Sequence, residues 1–316
     1  MSNGQHQRIT GTISASIFMC CTSYAAFAWN GGEPEGQANI NLAVASNFFG
    51  VPPSNSAITD IINAFEALHP NFTVTVVDNG ATATLESNVI NGNVAEVDLF
   101  LAADTATPQD LLVNHFELAA PYNSSRRPPL YVFNYAQGLL ALLSNTPGVD
   151  LSCATGTCGY STKYSSVAIA DPELAPYGVA AQSVLIGTYG LKPPLSSNSL
   201  VHEYPNITAS LDAVIAKTDP VGFVAMSAIC ADGKFPTSGM SAIAYFPVQG
   251  SAGNPSILTN SYNPLTQAGI AIRRHRSRDQ DTELNLFVEF LTDFTSPPTP
   301  DSPVMMTLKK FCYNAP

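Results

Sequence analysis

Four short segments of the chain place hydroxyl, amide or free backbone N–H groups where a strand or loop turns into a helix. They are VASNFFG at 44–50, NGATAT at 79–84, DPELAPYGVAAQSVL at 171–185 and PNITASLDAV at 205–214. The first turn of a helix carries unpaired N–H donors and the positive end of the peptide dipole, so such positions bind anions without any cationic side chain. Ser46 and Asn47 follow an apolar run and would sit at the carboxyl edge of a strand, where ligands bind in open α/β sheets. Thr82 follows Gly80, whose backbone freedom permits an abrupt turn, and offers a hydroxyl and an N–H at a helix start. Tyr177, between Pro176 and Gly178, marks a sharp helix entry from which its hydroxyl or N–H can reach a cleft. Ile207, preceded by Pro205 and Asn206, would contribute its backbone N–H alone. Taken singly, each has an ordinary explanation: turn chemistry for Ser46 and Asn47, helix capping for Thr82, a packed surface ring for Tyr177. Converging on one cleft, they describe a cage for a small oxyanion.

The elements that must hold this cage alternate strand with helix from Ile40 onward. INLAVAS reads as a buried strand, and the stretch from Ser54 to Leu68 spaces Ile58, Ile61, Ile62, Phe65 and Leu68 as a helix. A strand at 72–77, a helix from about Thr82, a strand at 97–102, strands at 138–143 and 166–170, helices from Tyr177 and Ile207, and a strand or strand-helix joint at 222–226 complete the repeat. Such strand-helix-strand succession predicts parallel sheets with helices on both faces. The segment PYNSSRRPP at 121–129 has linker composition, and 232–239 reads as a return linker. The expected division is therefore a first lobe from residues 38–122 and 240–316 and a second lobe inserted between two crossings at 123–239. A 316-residue chain exceeds what one core usually serves, in keeping with two lobes.

The segments resemble, in order and spacing from about Ile40 to the C-terminus, the periplasmic molybdate-binding proteins, the solute receptors of molybdate ABC transporters. The resemblance implies an α/β fold of the type II periplasmic binding proteins: two doubly wound lobes, a two-crossing hinge and a ligand cleft between them. Matched motif by motif, it puts Ser46 and Asn47 in the first ligand loop, Thr82 in the second, Tyr177 in the third and Ile207 in the fourth. It implies molybdate or tungstate as ligand, no cofactor, no catalytic residue and no bound metal cation. An ABC permease is the implied partner, and a monomer is expected. One branch of the family carries a tyrosine after the strand matching 222–224; here that position is Ala225.

Residues 1–28 read as a signal peptide, with Arg8 ahead of an uncharged stretch and Ala26-Phe27-Ala28 as a cleavage site, which places the mature chain in the periplasm. A formal charge of −11 argues against nucleic acid and sets an unfavourable mean field for an anion, which local dipoles must overcome. The cysteines left after cleavage are an even set, expected to pair as Cys153–Cys158 and Cys230–Cys312. The histidines show no metal-ligand spacing, and RRHRS at 273–277 reads as a solvated turn. No Asp or Glu occupies a matched position, which disfavours a protonated phosphate, whose hydrogen needs an acceptor. The competing readings are a receptor for another tetrahedral oxyanion such as sulfate and a secreted hydrolase. Against the hydrolase, no G-x-S-x-G elbow occurs and GYSTK at 159–163 lacks the second glycine.

Overall fold

The uncharged run ANINLAVA forms strand β1 (Ala38–Ala45), buried along nearly its whole length, as expected of a strand with helices on both faces. The computed structural model describes residues 38–50, 56–94, 96–119, 132–151, 159–235, 240–245, 262–296 and 299–316. Strand β1 lies parallel to β2 (Phe72–Gly80) and to β3 (Leu99–Ala102). Beyond them β10 (Leu265–Ala271) runs antiparallel to both β3 and β4 (Phe133–Gly138), giving the order β2-β1-β3-β10-β4. Alternation along β1 sends Ile40, Leu42 and Val44 into one core and Ala43 into another.

The first of these cores is closed by α2 (Ala57–Leu68), α7 (Arg278–Leu291) and α8 (Pro303–Lys310), which contribute Ile61, Phe65, Phe287, Leu291 and Leu308. The second is closed by α3 (Thr82–Asn91) and α4 (Ala106–Asn114) through Leu85, Val89 and Leu111. Burying each such side chain contributes roughly 1.5–3 kcal/mol. The helix starts are written locally: Ser56, Ser277 and Ser302 each accept from a backbone amide of the first turn, Ser277 within a full capping box with Gln280.

A second sheet has the order β7-β6-β8-β5-β9, built from β5 (Leu140–Ser144), β6 (Val167–Ala170), β7 (Val201–Tyr204), β8 (Val221–Ala225) and β9 (Ser241–Tyr245). Strand β6 is parallel to β7 and β8, whereas β5 is antiparallel to β8 and β9. Helix α5 (Pro176–Gly187) packs Ala181, Val184 and Leu185 on one face, and α6 (Ile207–Ile215) packs Leu211 and Val214 on the other.

Three expectations change. The sheets are mixed rather than parallel, because each includes strands that run toward or return from the other sheet. The sheet boundaries also move: β4, beyond residue 123, belongs to the first sheet, and β9, beyond residue 240, belongs to the second. The chain thus changes sheet at Leu139 and again between Tyr245 and Leu265, since strand pairing follows the continuing ladder rather than linker composition. The basic run is not a solvated turn. Arg274 and Arg276 both bind the buried carboxylate of Asp98, and the Arg276 side chain is 3% exposed.

Cys230 and Cys312 are bonded, with Cα atoms 6.0 Å apart. The expected Cys153–Cys158 pair, the signal peptide at 1–28 and the linker at 121–129 fall outside the described residues. Among the described residues no helix is long and apolar enough to cross a membrane.

Candidate functional site

Parallel pairing sets the ends of β1 and β2 side by side, Ala45 opposite Gly80, and the ends of β6 and β7 likewise, Ala170 opposite Tyr204. Each end feeds a helix. The short α1 (Ser46–Phe49) starts at Ser46, α3 at Thr82, α5 at Pro176 and α6 at Ile207. Ser46, Asn47, Thr82, Tyr177 and Ile207 line one small cavity, together with Ala45, Gly80, Ala81, Ala103, Ala175 and Pro176. The five residues singled out from sequence therefore meet in space, on elements of both sheets. All five are at least nine-tenths buried.

Helix geometry supplies the donors. Asn206 is the N-cap of α6 and its side chain accepts from Ala209 N at 2.9 Å, while the amide of Ile207, two residues earlier at the first helical position, stays outside the helix ladder. Thr82 is not a cap: the N-cap of α3 is Ala81, and the Thr82 hydroxyl instead accepts from Ala103 N at 3.1 Å. That bond occupies a lone pair and leaves the O–H proton to donate elsewhere. Gly80 has no positive φ, so the backbone freedom expected of it is not used. Gly178 is required, since a Cβ there would lie 2.3 Å from Ala170 O where α5 crosses the end of β6.

The side chain of Asn47 is tied into the wall. Its Nδ2 donates to the Tyr313 hydroxyl at 3.2 Å, and that hydroxyl donates to Asn47 O at 2.8 Å. Gln267 on β10 donates from Nε2 to the Tyr177 hydroxyl at 3.4 Å, and Ser227 donates to Asn47 O at 3.5 Å. Burial raises the phenol of Tyr177 well above its ordinary pKa and pushes Tyr313 up to about 12, so both remain protonated donors at neutral pH. Gln267, Tyr313 and Ser227 were missed from sequence. Gln267 and Tyr313 carry no helix-start signal, Ser227 lies in the first turn of a short 3-10 helix after β8, and Ala225, where a further tyrosine was considered, is a packed end residue of β8.

Among the described residues the cavity lining holds neither cation nor carboxylate, so the attraction for an anion comes from amides, hydroxyls and helix ends. Its volume is about 10 Å³, room for about one water. A five-atom oxyanion fits the donor set, but the two walls must separate to admit it. The walls touch through Ala83 N, which donates to Leu174 O at 3.1 Å, and through Thr208 Oγ1, which donates to Ser46 O at 3.5 Å. A wider cavity of about 410 Å³ adjoins it, sharing Thr82, Ala175 and Pro176, and its ionisable lining is Asp104 and Glu173. A larger cavity, about 630 Å³, lies beside Asp150, Lys217 and Ser241 and shares no residue with the converging helix starts, so size alone misplaces the site.

For the hydrolase reading, the nearest arrangement is Ser166, Asp219 and His202. Both the Ser166 hydroxyl and His202 Nδ1 contact Asp219, the imidazole at 2.7 Å, so serine and histidine are joined in parallel through the acid. A nucleophilic serine needs its hydroxyl on the imidazole.

The family described as bacterial extracellular solute-binding protein matches residues 40–292. The molybdate-binding protein of Azotobacter vinelandii is 33% identical over 198 residues, covering 62% of this chain and 68% of the relative. That of Rhodobacter capsulatus is 30% identical over 200 residues with the same coverage. The fold is similar to the solved periplasmic molybdate-binding protein of Azotobacter vinelandii, with a TM-score of 0.63 at 21% identity over 88% of this chain and 99% of that one. A substrate-binding domain of a putative molybdenum ABC transporter from Clostridium difficile aligns at a TM-score of 0.53 and 18% identity, covering 88% of this chain and 99% of that one. Converging helix starts, the two mixed sheets and these similarities lead to one assignment: the chain belongs to the bacterial extracellular solute-binding proteins, the family of the molybdate-binding receptors.

Proposed function

We propose that the protein captures molybdate or tungstate in the periplasm and delivers it to an ABC permease, acting as a monomeric receptor and not as an enzyme. The observation that carries this reading is the convergence of Ser46, Asn47, Thr82, Tyr177 and Ile207 on one buried, carboxylate-free cavity. Thr82 and Tyr177 donate hydroxyl protons, Ser46 and Asn47 donate from the first loop, and Ile207 donates its amide. A fully deprotonated tetrahedral dianion needs only donors, which this lining supplies, whereas the proton of monohydrogen phosphate is best met by a carboxylate, which the described lining lacks. Identity of 33% to a molybdate-binding protein supports the choice of ligand. Export through a cleaved signal peptide at 1–28 belongs to the same reading.

The tightness of the cavity favours a second reading, sulfate, the smaller tetrahedral dianion. Calorimetric titration of the purified chain with molybdate, tungstate, sulfate and phosphate separates them. The expected order is molybdate and tungstate tightest, sulfate weaker, and no heat from phosphate. Preference for sulfate would replace the first reading by the second, and equal affinity for phosphate would overturn the argument from missing carboxylates.

A further inference from the structure

We infer that Gln267 is a positioning residue for the oxyanion, its amide occupying the Tyr177 hydroxyl as a donor so that the Tyr177 proton is directed to the ligand. This rests on the functional reading above. Gln267 sits in the middle of β10, fully buried, far in sequence from every ligand loop. Its Nε2 reaches the Tyr177 hydroxyl at 3.4 Å, the long end of the hydrogen-bond range, and its side chain also borders the Tyr313 hydroxyl. The two phenols then differ in one respect. Tyr313 donates its proton to Asn47 O at 2.8 Å, whereas the Tyr177 hydroxyl, which also borders the Asn47 side chain, makes no well-formed hydrogen bond to an acceptor among the described residues. A hydroxyl that accepts from an amide and makes no such bond is poised to donate to a negative oxygen in the cavity it lines.

Two further observations separate this from ordinary packing. Gln267 Oε1 is buried without a hydrogen-bond partner, a loss that an apolar residue of the same shape would not incur. Stability alone therefore does not explain a glutamine here. Gly138 faces the same point: a Cβ there would lie 1.9 Å from the Tyr177 hydroxyl and 2.7 Å from Gln267 Nε2. The bare backbone of β4, next to the crossing at Leu139, is what lets hydroxyl and amide meet. The structure places Nε2, not Oε1, toward the Tyr177 hydroxyl, and the inference depends on that orientation, because a hydroxyl can meet either end of an amide. In the opposite orientation Oε1 would consume the Tyr177 proton, and Gln267 would then oppose binding.

The test is a double-mutant cycle on the full chain, read by calorimetric titration with sodium molybdate and by the melting temperature without ligand. The variants are Gln267→Met, Gln267→Leu, Tyr177→Phe and Gln267→Met combined with Tyr177→Phe. Gln267→Met keeps the side-chain volume, so one of the two substitutions is expected to fold even where the other does not. The expected result is a roughly 3- to 10-fold weaker complex for Gln267→Met and no further weakening when it is added to Tyr177→Phe. The melting temperature of ligand-free Gln267→Met is expected to be equal to or above that of the parent chain. The inference is overturned by unchanged or tighter binding in Gln267→Met, or by weakening of equal size in the Tyr177→Phe background, which would mark a general structural effect. Failure of the parent chain to bind molybdate, or parent-like binding by Tyr177→Phe, would overturn the functional reading itself, and this inference with it.

Discussion

Thr82 is the residue at which a ligand role and a structural role separate most cleanly. Its hydroxyl accepts from Ala103 N, its side chain does not cap α3, and it lines the cavity, whereas Thr84 on the same helix is exposed. Deleting a hydrogen bond to a charged ligand costs about 1.5–3 kcal/mol, so Thr82→Ala should weaken molybdate binding roughly 10- to 150-fold and Thr84→Ala should leave it unchanged. Titration of both variants decides the point, and parent-like affinity in Thr82→Ala would remove the second loop from the site. Glu283 is a second informative residue, away from the ligand. It is fully buried on α7, near the backbone of Ile40 and Thr73, without a well-formed hydrogen bond to either carboxylate oxygen. Desolvation, reinforced by Asp98 and Glu66, raises its pKa from 4.5 to about 8. A carboxyl whose folded pKa is raised holds more protons folded than unfolded. Its contribution is complete below pH 4.5 and is lost as pH rises through about 8. Thermal melts between pH 5 and 9 should show a decline that Glu283→Gln flattens, and an identical slope in the variant would contradict the assignment.

At the scale of elements, the C-terminal segment after α8 connects the two sheets a third time. Cys312 is bonded to Cys230, just beyond β8 of the second sheet, while Tyr313 packs its ring against Phe48 and its hydroxyl on Asn47. The bridge spans 82 residues, for which loop-closure entropy gives a stabilisation of about 4.5 kcal/mol as a model-dependent upper figure. Replacing both cysteines by alanine should lower the melting temperature, and it should also weaken molybdate binding, because Tyr313 loses the anchor next to it. Denaturant melts and titrations on the same preparation check both effects. Loss of stability with intact affinity would show that packing alone holds Tyr313. The helix starts at Thr82, Tyr177 and Ile207 were legible in the sequence because caps, prolines and apolar runs are local signals. The pairing of β4 and β9 was not, since composition marks where a chain can bend and not which ladder it joins.

For the whole molecule, the charge balance runs against the ligand. The chain carries a formal charge of −11, and the acidic Asp104 and Glu173 line the wider cavity that adjoins the site. An incoming dianion is repelled at long range and held only at contact by dipoles and hydroxyls. Its association rate should therefore rise with ionic strength, as screening shortens the repulsion. Stopped-flow measurement of molybdate binding between low and moderate salt tests this, and a rate that falls with salt would mean that a local positive field steers the anion.

The sequence by itself determined that donors without cations stand at four strand or loop ends, and that two α/β units present them. Each of those signals lies within a few residues of its effect. Tertiary structure alone decided the rest. It joined Asn47, Tyr177, Gln267 and Tyr313, drawn from distant parts of the chain, into one polar network, and it turned Arg274 and Arg276 onto Asp98. It also set the small cavity volume. These outcomes depend on which buried surfaces meet after the sheets have formed. A glutamine in a strand reads as an exposed residue until the fold covers both of its faces.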